Sequence, residues 1–244
     1  MMGMPIAVEI ADKTPAKSAI EKVFSYFSYI DEKFSTYKDT SEIMKINRGE
    51  LGEMEYSEDM KTVFALSEET KKQTDGYFDI RTPSGPYDPS GLVKGWAIYN
   101  ASKMLLADGF KNFYIDAGGD IQVYGLNAEG RAWSVGIRNP FNQKEIVKVL
   151  SVRDEGVATS GTYVRGQHIY NPKNAKMSIR EVVSMTVVGR NIYEADRFAT
   201  AAFAMGEAGI AYIEKLSGFE GYLIHANGMA TMTSGFKKYI RTDA

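Results

Sequence analysis

The plainest pattern along the chain is helical. Ile20, Val23, Phe24, Phe27, Ile30 and Phe34 recur at spacings of three and four, which marks one buried face of a helix. Thr14-Pro15 predicts its start, with threonine as cap and proline in the first turn. Ile6 to Ile10 predicts a strand before it. A short helix is expected near Ser41 to Asn47. Ser57 predicts the cap of another, with Met60, Val63, Phe64 and Ser67 on its inner face and an end near Thr74-Asp75-Gly76. Pro83, Gly85, Pro86 and Pro89 then mark the longest loop. From about Leu92 the apolar stripe resumes through Val93, Trp96, Ile98, Tyr99, Met104 and Leu105, and Gly109 predicts its stop.

The second half reads as β. Phe113 to Asp116 predicts a strand that ends at Gly118-Gly119. Ile121 to Tyr124, Ala132 to Arg138, Glu145 to Arg153 and Gly156 to Ser160 are short runs separated by Asn-Ala-Glu-Gly, Asn-Pro and Asp-Glu-Gly turns. Such runs predict an antiparallel meander. His168 to Tyr170 and Val182 to Val188 predict further strands, and Glu194 to Gly206 and Ala208 to Ser217 predict helices. Tyr222 to His225, Met229 to Thr231 and Phe236 to Ile240 are expected to close the sheet. Helices lead and strands dominate later, so the expected class is α+β, in one domain over residues 1–244.

Composition narrows the chemistry. Lys plus Arg number 29 against 31 Asp plus Glu, with no basic run, which argues against a nucleic-acid partner. No apolar stretch reaches the length of a membrane span. The first residues lack the charged and apolar regions of a signal peptide, so a cytoplasmic location is expected if the start is native. Cysteine is absent, which removes disulfides, thiolate metal sites and cysteine nucleophiles. Only His168 and His225 are present, so any metal is expected to be a hard cation held by oxygens.

Three places can carry chemistry, each beside a plainer reading. Asp88 to Ala97 turns from loop to helix, and Tyr114 to Asp120 ends in a glycine pair flanked by Asp116 and Asp120. Glycines, a lysine and acids at helix and strand ends suit a phosphate-bearing ligand; they also suit an ordinary turn and a solvated lysine. Asp196 and Thr200 lie one helical turn apart, opposite Phe198, Ala201, Ala202 and Met205. The pair is expected on an exposed face, as oxygen donors for Mg²⁺ or Ca²⁺ or as a dipole partner and a back-bonded threonine. His168 is a proton acceptor or a structural imidazole; His225 reads as structural. Thr159 to Tyr163 lacks the Gly-x-Ser-x-Gly elbow of serine hydrolases.

Taken in order, these segments resemble the ApbE family, the FAD:protein FMN transferases. The matching pieces include Phe34-Ser-Thr-Tyr37, Gly76-Tyr-Phe-Asp79, Asp88 to Ala97, Asp116-Ala-Gly-Gly-Asp120, Val135 to Pro140, Val157 to Tyr163, His168 to Pro172 and Glu194 to Thr200, with Met2-Gly-Met-Pro near the start. The resemblance implies an ApbE-like, T-fold-related α+β fold of mixed and antiparallel sheets with flanking helices. It implies a domain that cleaves FAD with Mg²⁺ and joins FMN by a phosphoester to a Thr or Ser of a target flavoprotein, releasing AMP. By position, Met2, Tyr37, Tyr77, Phe78, Asp79, Asp88, Lys94 and Ile169 would contact FAD, with Tyr37 stacking on a ring. Gly91 through its carbonyl, Asp196 and Thr200 would hold Mg²⁺, and His168 would accept the hydroxyl proton.

The chain departs from the family in three places. Only eight residues separate Asp79 from Asp88, where the family has a longer connection. Asn171 replaces an acid in the family's His-Ile-Ile-Asp-Pro. The stretch between Tyr163 and His168 is short. These leave two alternatives to transfer: an FAD pyrophosphatase, with water as acceptor, or a flavin-binding protein without turnover.

Overall fold

The computed structural model describes residues 3–161, 170–174 and 179–242. In chain order its elements are β1 (Ile6–Ile10), α1 (Lys17–Phe34), α2 (Glu42–Asn47), α3 (Glu58–Gln73), α4 (Ser90–Ala107), β2 (Phe113–Ala117), β3 (Asp120–Tyr124), β4 (Trp133–Arg138), β5 (Ile146–Val152), β6 (Gly156–Gly161), β7 (Val182–Gly189), α5 (Ile192–Ala204), α6 (Ala208–Glu214), β8 (Glu220–His225) and β9 (Ala230–Met232). Short 3₁₀ turns occupy Glu53–Glu55 and Phe236–Tyr239.

One antiparallel sheet of seven strands runs in the order β1-β2-β3-β6-β7-β8-β9. Helices α4 and α5 pack against it, with α1 behind α4. Val23, Phe27 and Ile30 of α1, Leu92 and Ile98 of α4, and Ala199 and Phe203 of α5 join Ile115 and Met185 of the sheet in the larger core. The α+β reading thus holds, and three local expectations are corrected.

The predicted meander is interrupted. β4 and β5 pair only with each other and make a separate two-stranded sheet, while β3 pairs onward with β6. In β4 the buried residues are Trp133, Val135 and Ile137. That face joins Ile121, Val123, Val157, Val188, Tyr222 and Ile224 in a second core. Burying the hairpin's apolar face there takes it out of water. The second correction is Phe236 to Ile240, expected as a strand. Phe236 and Tyr239 are both buried three residues apart, the repeat of a 3₁₀ turn; Ile240 makes only a single bridge to Leu150.

α2, α3 and α5 start at side-chain caps, and α1, α4 and α6 do not. The Ser41 and Ser57 hydroxyls accept from Met44 N–H at 3.2 Å and Met60 N–H at 3.3 Å, as expected of cap residues. Thr14 does not cap α1. The helix begins at Lys17, with Ala16 at the cap position and no side-chain cap, so Thr14 lies too far ahead of the first turn for its hydroxyl to reach the free N–H groups there. Among the described residues no helix is long and apolar enough to cross a membrane.

Candidate active site

A cavity of about 670 Å³ opens where α4, α5 and the β2–β3 turn meet. The turn itself is Gly118-Gly119, joining the paired residues Ala117 and Asp120. Both glycines have positive φ, +66° and +95°, as a two-residue hairpin turn requires. A Cβ on Gly118 would lie 2.8 Å from Met4 Sδ, so the Met4 side chain would have to shift. Gly119 N–H donates to Asp116 Oδ1 at 2.7 Å and fixes that carboxylate on the cavity lip.

The opposite wall is the crossing of α4 with α5. Gly95 N–H donates to Asp196 Oδ2 at 2.8 Å. Asp196 is only 2% exposed, so the expectation of an exposed helical face is corrected: α5 is buried nearly all round. The pairing of Asp196 with Thr200 on one side is right. Thr200 Oγ1 lies 3.3 Å from the Gly91 carbonyl oxygen and 3.4 Å from Ser160 Oγ. Lys94 Nζ reaches down between two acids, 2.6 Å from Asp120 Oδ2 and 3.9 Å from Asp196 Oδ1. Burial drives the Asp196 carboxyl well above the usual carboxylate range, and Lys94 pulls it part of the way back. Burial likewise raises Asp116.

The Gly91 carbonyl, the Thr200 hydroxyl and the Asp196 carboxylate are all hard oxygen donors. Among the described residues no group of three or more His, Asp and Glu is placed to hold a metal. An ion here would therefore draw on the carbonyl and the hydroxyl. A Cβ on Gly91 would sit 3.0 Å from Thr200 Cγ2 and 3.4 Å from Phe78 Cε2, so a side chain there would crowd the same corner.

The sequence-derived site residues divide into three groups. Tyr77, Phe78, Asp79, Asp88, Gly91, Lys94, Asp196 and Thr200 all line the one cavity. Met2, His168 and Ile169 lie outside the described residues. Tyr37 is 90% exposed and does not line the cavity, so the structure does not bring it to the others. The lip is braced locally. Asp79 pairs with Lys71 of α3 at 2.6 Å and accepts from Arg81 N–H at 2.8 Å. Asp88 accepts from Ser90 N–H at 3.0 Å at the start of α4.

The short connection from Asp79 to Asp88 is a closed loop. Arg81 bridges to Tyr87, and Thr82 N–H donates to the Pro86 carbonyl at 2.9 Å. Thr82 and Asp88 remain on the cavity wall. Asn171 has a turn role: its Oδ1 accepts from Lys173 N–H at 3.0 Å. Lys173 Nζ in turn lies 4.6 Å from the centre of the Tyr77 ring.

Sequence reasoning missed several lining residues. Gly136, Arg138 and Ile146 bring the separate hairpin to the cavity. Arg138 follows a register shift in β4, an irregularity that re-aims a side chain. The alternation of β4 marks Arg138 as pointing away from the core, yet not what it faces. Tyr170 is another: its hydroxyl reaches the carbonyls of Arg81 at 3.1 Å and Asp79 at 3.4 Å.

One cavity thus gathers a lysine, an arginine, several carboxylates and neutral oxygen donors at the ends of helices and strands. The sequence profile of the ApbE family matches residues 2–84 and 81–223. The chain belongs to the ApbE family. It is similar to the FAD:protein FMN transferase of Vibrio cholerae, 33% identical over 129 residues that cover 49% of this chain and 39% of that one. The Klebsiella pneumoniae FAD:protein FMN transferase is 25% identical over 162 residues, covering 63% of this chain and 45% of that one. The matched part thus spans less than half of each of these curated relatives. In fold, the chain resembles the flavin transferase ApbE from Vibrio cholerae, with a TM-score of 0.84 at 22% identity over 98% of this chain and 96% of that one. The ApbE protein of Thermotoga maritima gives a TM-score of 0.86 at 20% identity over 98% and 97%.

Proposed function

We propose that residues 1–244 form one Mg²⁺-dependent FAD:protein FMN transferase domain. The observation that carries the reading is the convergence of Lys94, Asp196, Thr200 and the Gly91 carbonyl on one cavity of about 670 Å³. That volume falls within the roughly 300–1,000 Å³ of small-molecule sites. Family membership supports the same substrate.

In this reading the Lys94 ammonium binds the FAD pyrophosphate. Tyr77, Phe78, Asp79 and Asp88 hold the rest of FAD along the lip, joined by Met2 and Ile169 from the resemblance. Asp196, Thr200 and the Gly91 carbonyl are assigned to Mg²⁺, which would neutralise charge on the phosphates. A Thr or Ser hydroxyl of the target flavoprotein forms a bond to the flavin-side phosphorus. The bond from that phosphorus to the bridging oxygen breaks, and AMP leaves with the electron pair. His168 takes the hydroxyl proton.

The test is chromatography of AMP and flavins after incubation with FAD and Mg²⁺, with and without an acceptor domain bearing a threonine. The transferase reading predicts AMP release that requires both Mg²⁺ and acceptor. AMP with free FMN and no acceptor would instead make the protein a pyrophosphatase. FAD retained without turnover would make it a flavin-binding protein.

A further inference from the structure

We propose that Asp120 is a positioning residue that holds the Lys94 ammonium at the cavity wall. The inference rests on the transferase reading, which makes Lys94 a group that touches the pyrophosphate.

The geometry separates the two residues by role. Lys94 lines the cavity and its side chain is 20% exposed; Asp120 lies behind it, does not line the cavity, and is 1% exposed. Asp120 is held rigidly. It is the first residue of β3, directly after the glycine turn. Its Oδ1 accepts from Thr159 N–H of β6 at 3.0 Å, and the Thr159 hydroxyl is tied to that of Thr186 on β7 at 2.9 Å. Three adjacent strands therefore fix this carboxylate. Lys94, by contrast, ends a four-carbon stem that loses rotamer freedom whenever it is held in place.

The second oxygen carries the inference. Asp120 Oδ2 is buried and has no aligned hydrogen-bond donor. Its close neighbour is Lys94 Nζ at 2.6 Å, off the direction of a hydrogen bond, so the contact acts as charge compensation. A buried carboxylate oxygen without a donor is costly. Joining β3 to β6 needs only Oδ1, and an asparagine would do it as well. What asparagine would not do is present a negative charge to the ammonium. Asp196 Oδ1 lies farther from Nζ, at 3.9 Å, and Asp196 lines the cavity. Asp120 thus supplies the nearer charge from behind the wall, while Asp196, which accepts from Gly95 N–H and lies beside Asp120, is on the cavity side.

The experiment is a double-mutant cycle read by FAD binding, from flavin fluorescence with Mg²⁺ present and no acceptor. The proteins are wild type, Asp120→Asn, Lys94→Met and the double variant, each with its melting temperature. Asp120→Asn is expected to weaken FAD binding by about tenfold, since a hydrogen bond or ion pair to a charged group is lost. The double variant is expected to bind FAD as Lys94→Met does, because Asp120 acts through Lys94. A Kd for Asp120→Asn within about twofold of wild type would overturn the proposal. So would a double variant weaker than Lys94→Met by the full Asp120→Asn factor. If Asp120→Asn alone does not fold, the double variant, which removes both charges, is compared with Lys94→Met on the same criterion. A wild type that binds no FAD would sink the transferase reading itself, and this proposal with it.

Discussion

Gly95 N–H donates to Asp196 Oδ2 at 2.8 Å, and a Cβ on Gly95 would lie 2.6 Å from Asp196 Cβ and 2.7 Å from the Ile192 carbonyl. The α4–α5 crossing is thus as close as it is because position 95 has no side chain. Alanine normally favours a helix by about 1 kcal/mol over glycine. Here the overlap with backbone outweighs that gain. Gly95→Ala is expected to destabilise the protein by about 2 kcal/mol net, read by urea denaturation. Unchanged stability would show that the crossing is looser.

Thr200 offers a test of the oxygen donor set. Its hydroxyl lies 3.3 Å from the Gly91 carbonyl, while its methyl packs toward Gly91. Thr200→Val keeps the shape and removes the oxygen. The Mg²⁺ concentration for half-maximal AMP release is expected to rise by at least about tenfold, with little change in melting temperature. A Mg²⁺ titration superimposable on wild type would remove Thr200 from the site.

Tyr170 ties the chain beyond residue 169 to the cavity lip through the carbonyls of Arg81 and Asp79. Tyr170→Phe keeps the ring and loses both contacts, worth about 1 kcal/mol. KM for FAD is therefore expected to rise roughly fivefold with kcat unchanged. Steady-state kinetics separate the two, and a fall in kcat at constant KM would place Tyr170 in the chemistry instead.

Glu155 gives a pH dependence away from the cavity. Burial raises its carboxyl above the ordinary value, while the Tyr239 hydroxyl, donating at 2.6 Å, opposes the rise. A raised folded value means the native state holds this proton more tightly than the unfolded chain. Its contribution to stability is full below the unfolded value of 4.5 and is lost as pH rises through the folded one. Glu155→Gln keeps an acceptor for Tyr239. It is expected to stabilise the protein at pH 7 by about 0.5 kcal/mol, a small gain because solvent screens the half-exposed site. The gain should vanish near pH 4 in denaturation curves taken across that range. An equal gain at both ends would trace it to packing.

Much of this was legible before the fold was known, for physical reasons particular to each element. The stripe through Val23, Phe27, Ile30 and Phe34, the short helix after Ser41 and the Ser57 cap are local signals, and they hold. Asp196 and Thr200 share a helical face by spacing alone, but their burial depends on α4 passing within contact of α5. The pairing of Lys94 with Asp120 spans the α4–β3 connection and exists only in three dimensions. Tyr37 shows the reverse: a motif residue whose position in the fold is solvent. The Phe-Lys-Lys-Tyr run at 236–239 did carry its signal, two aromatics three apart. Alternation along β4 was visible too, yet it cannot say whether a hairpin joins a sheet or folds over its face.

The most direct measurement is the intact mass of a threonine-bearing acceptor domain after incubation with this protein, FAD and Mg²⁺. A gain of one FMN minus water on the acceptor is expected. That gain is expected to disappear with Asp196→Ala and when Mg²⁺ is chelated. An acceptor of unchanged mass across a panel of such domains, with FAD intact, would contradict the transferase reading.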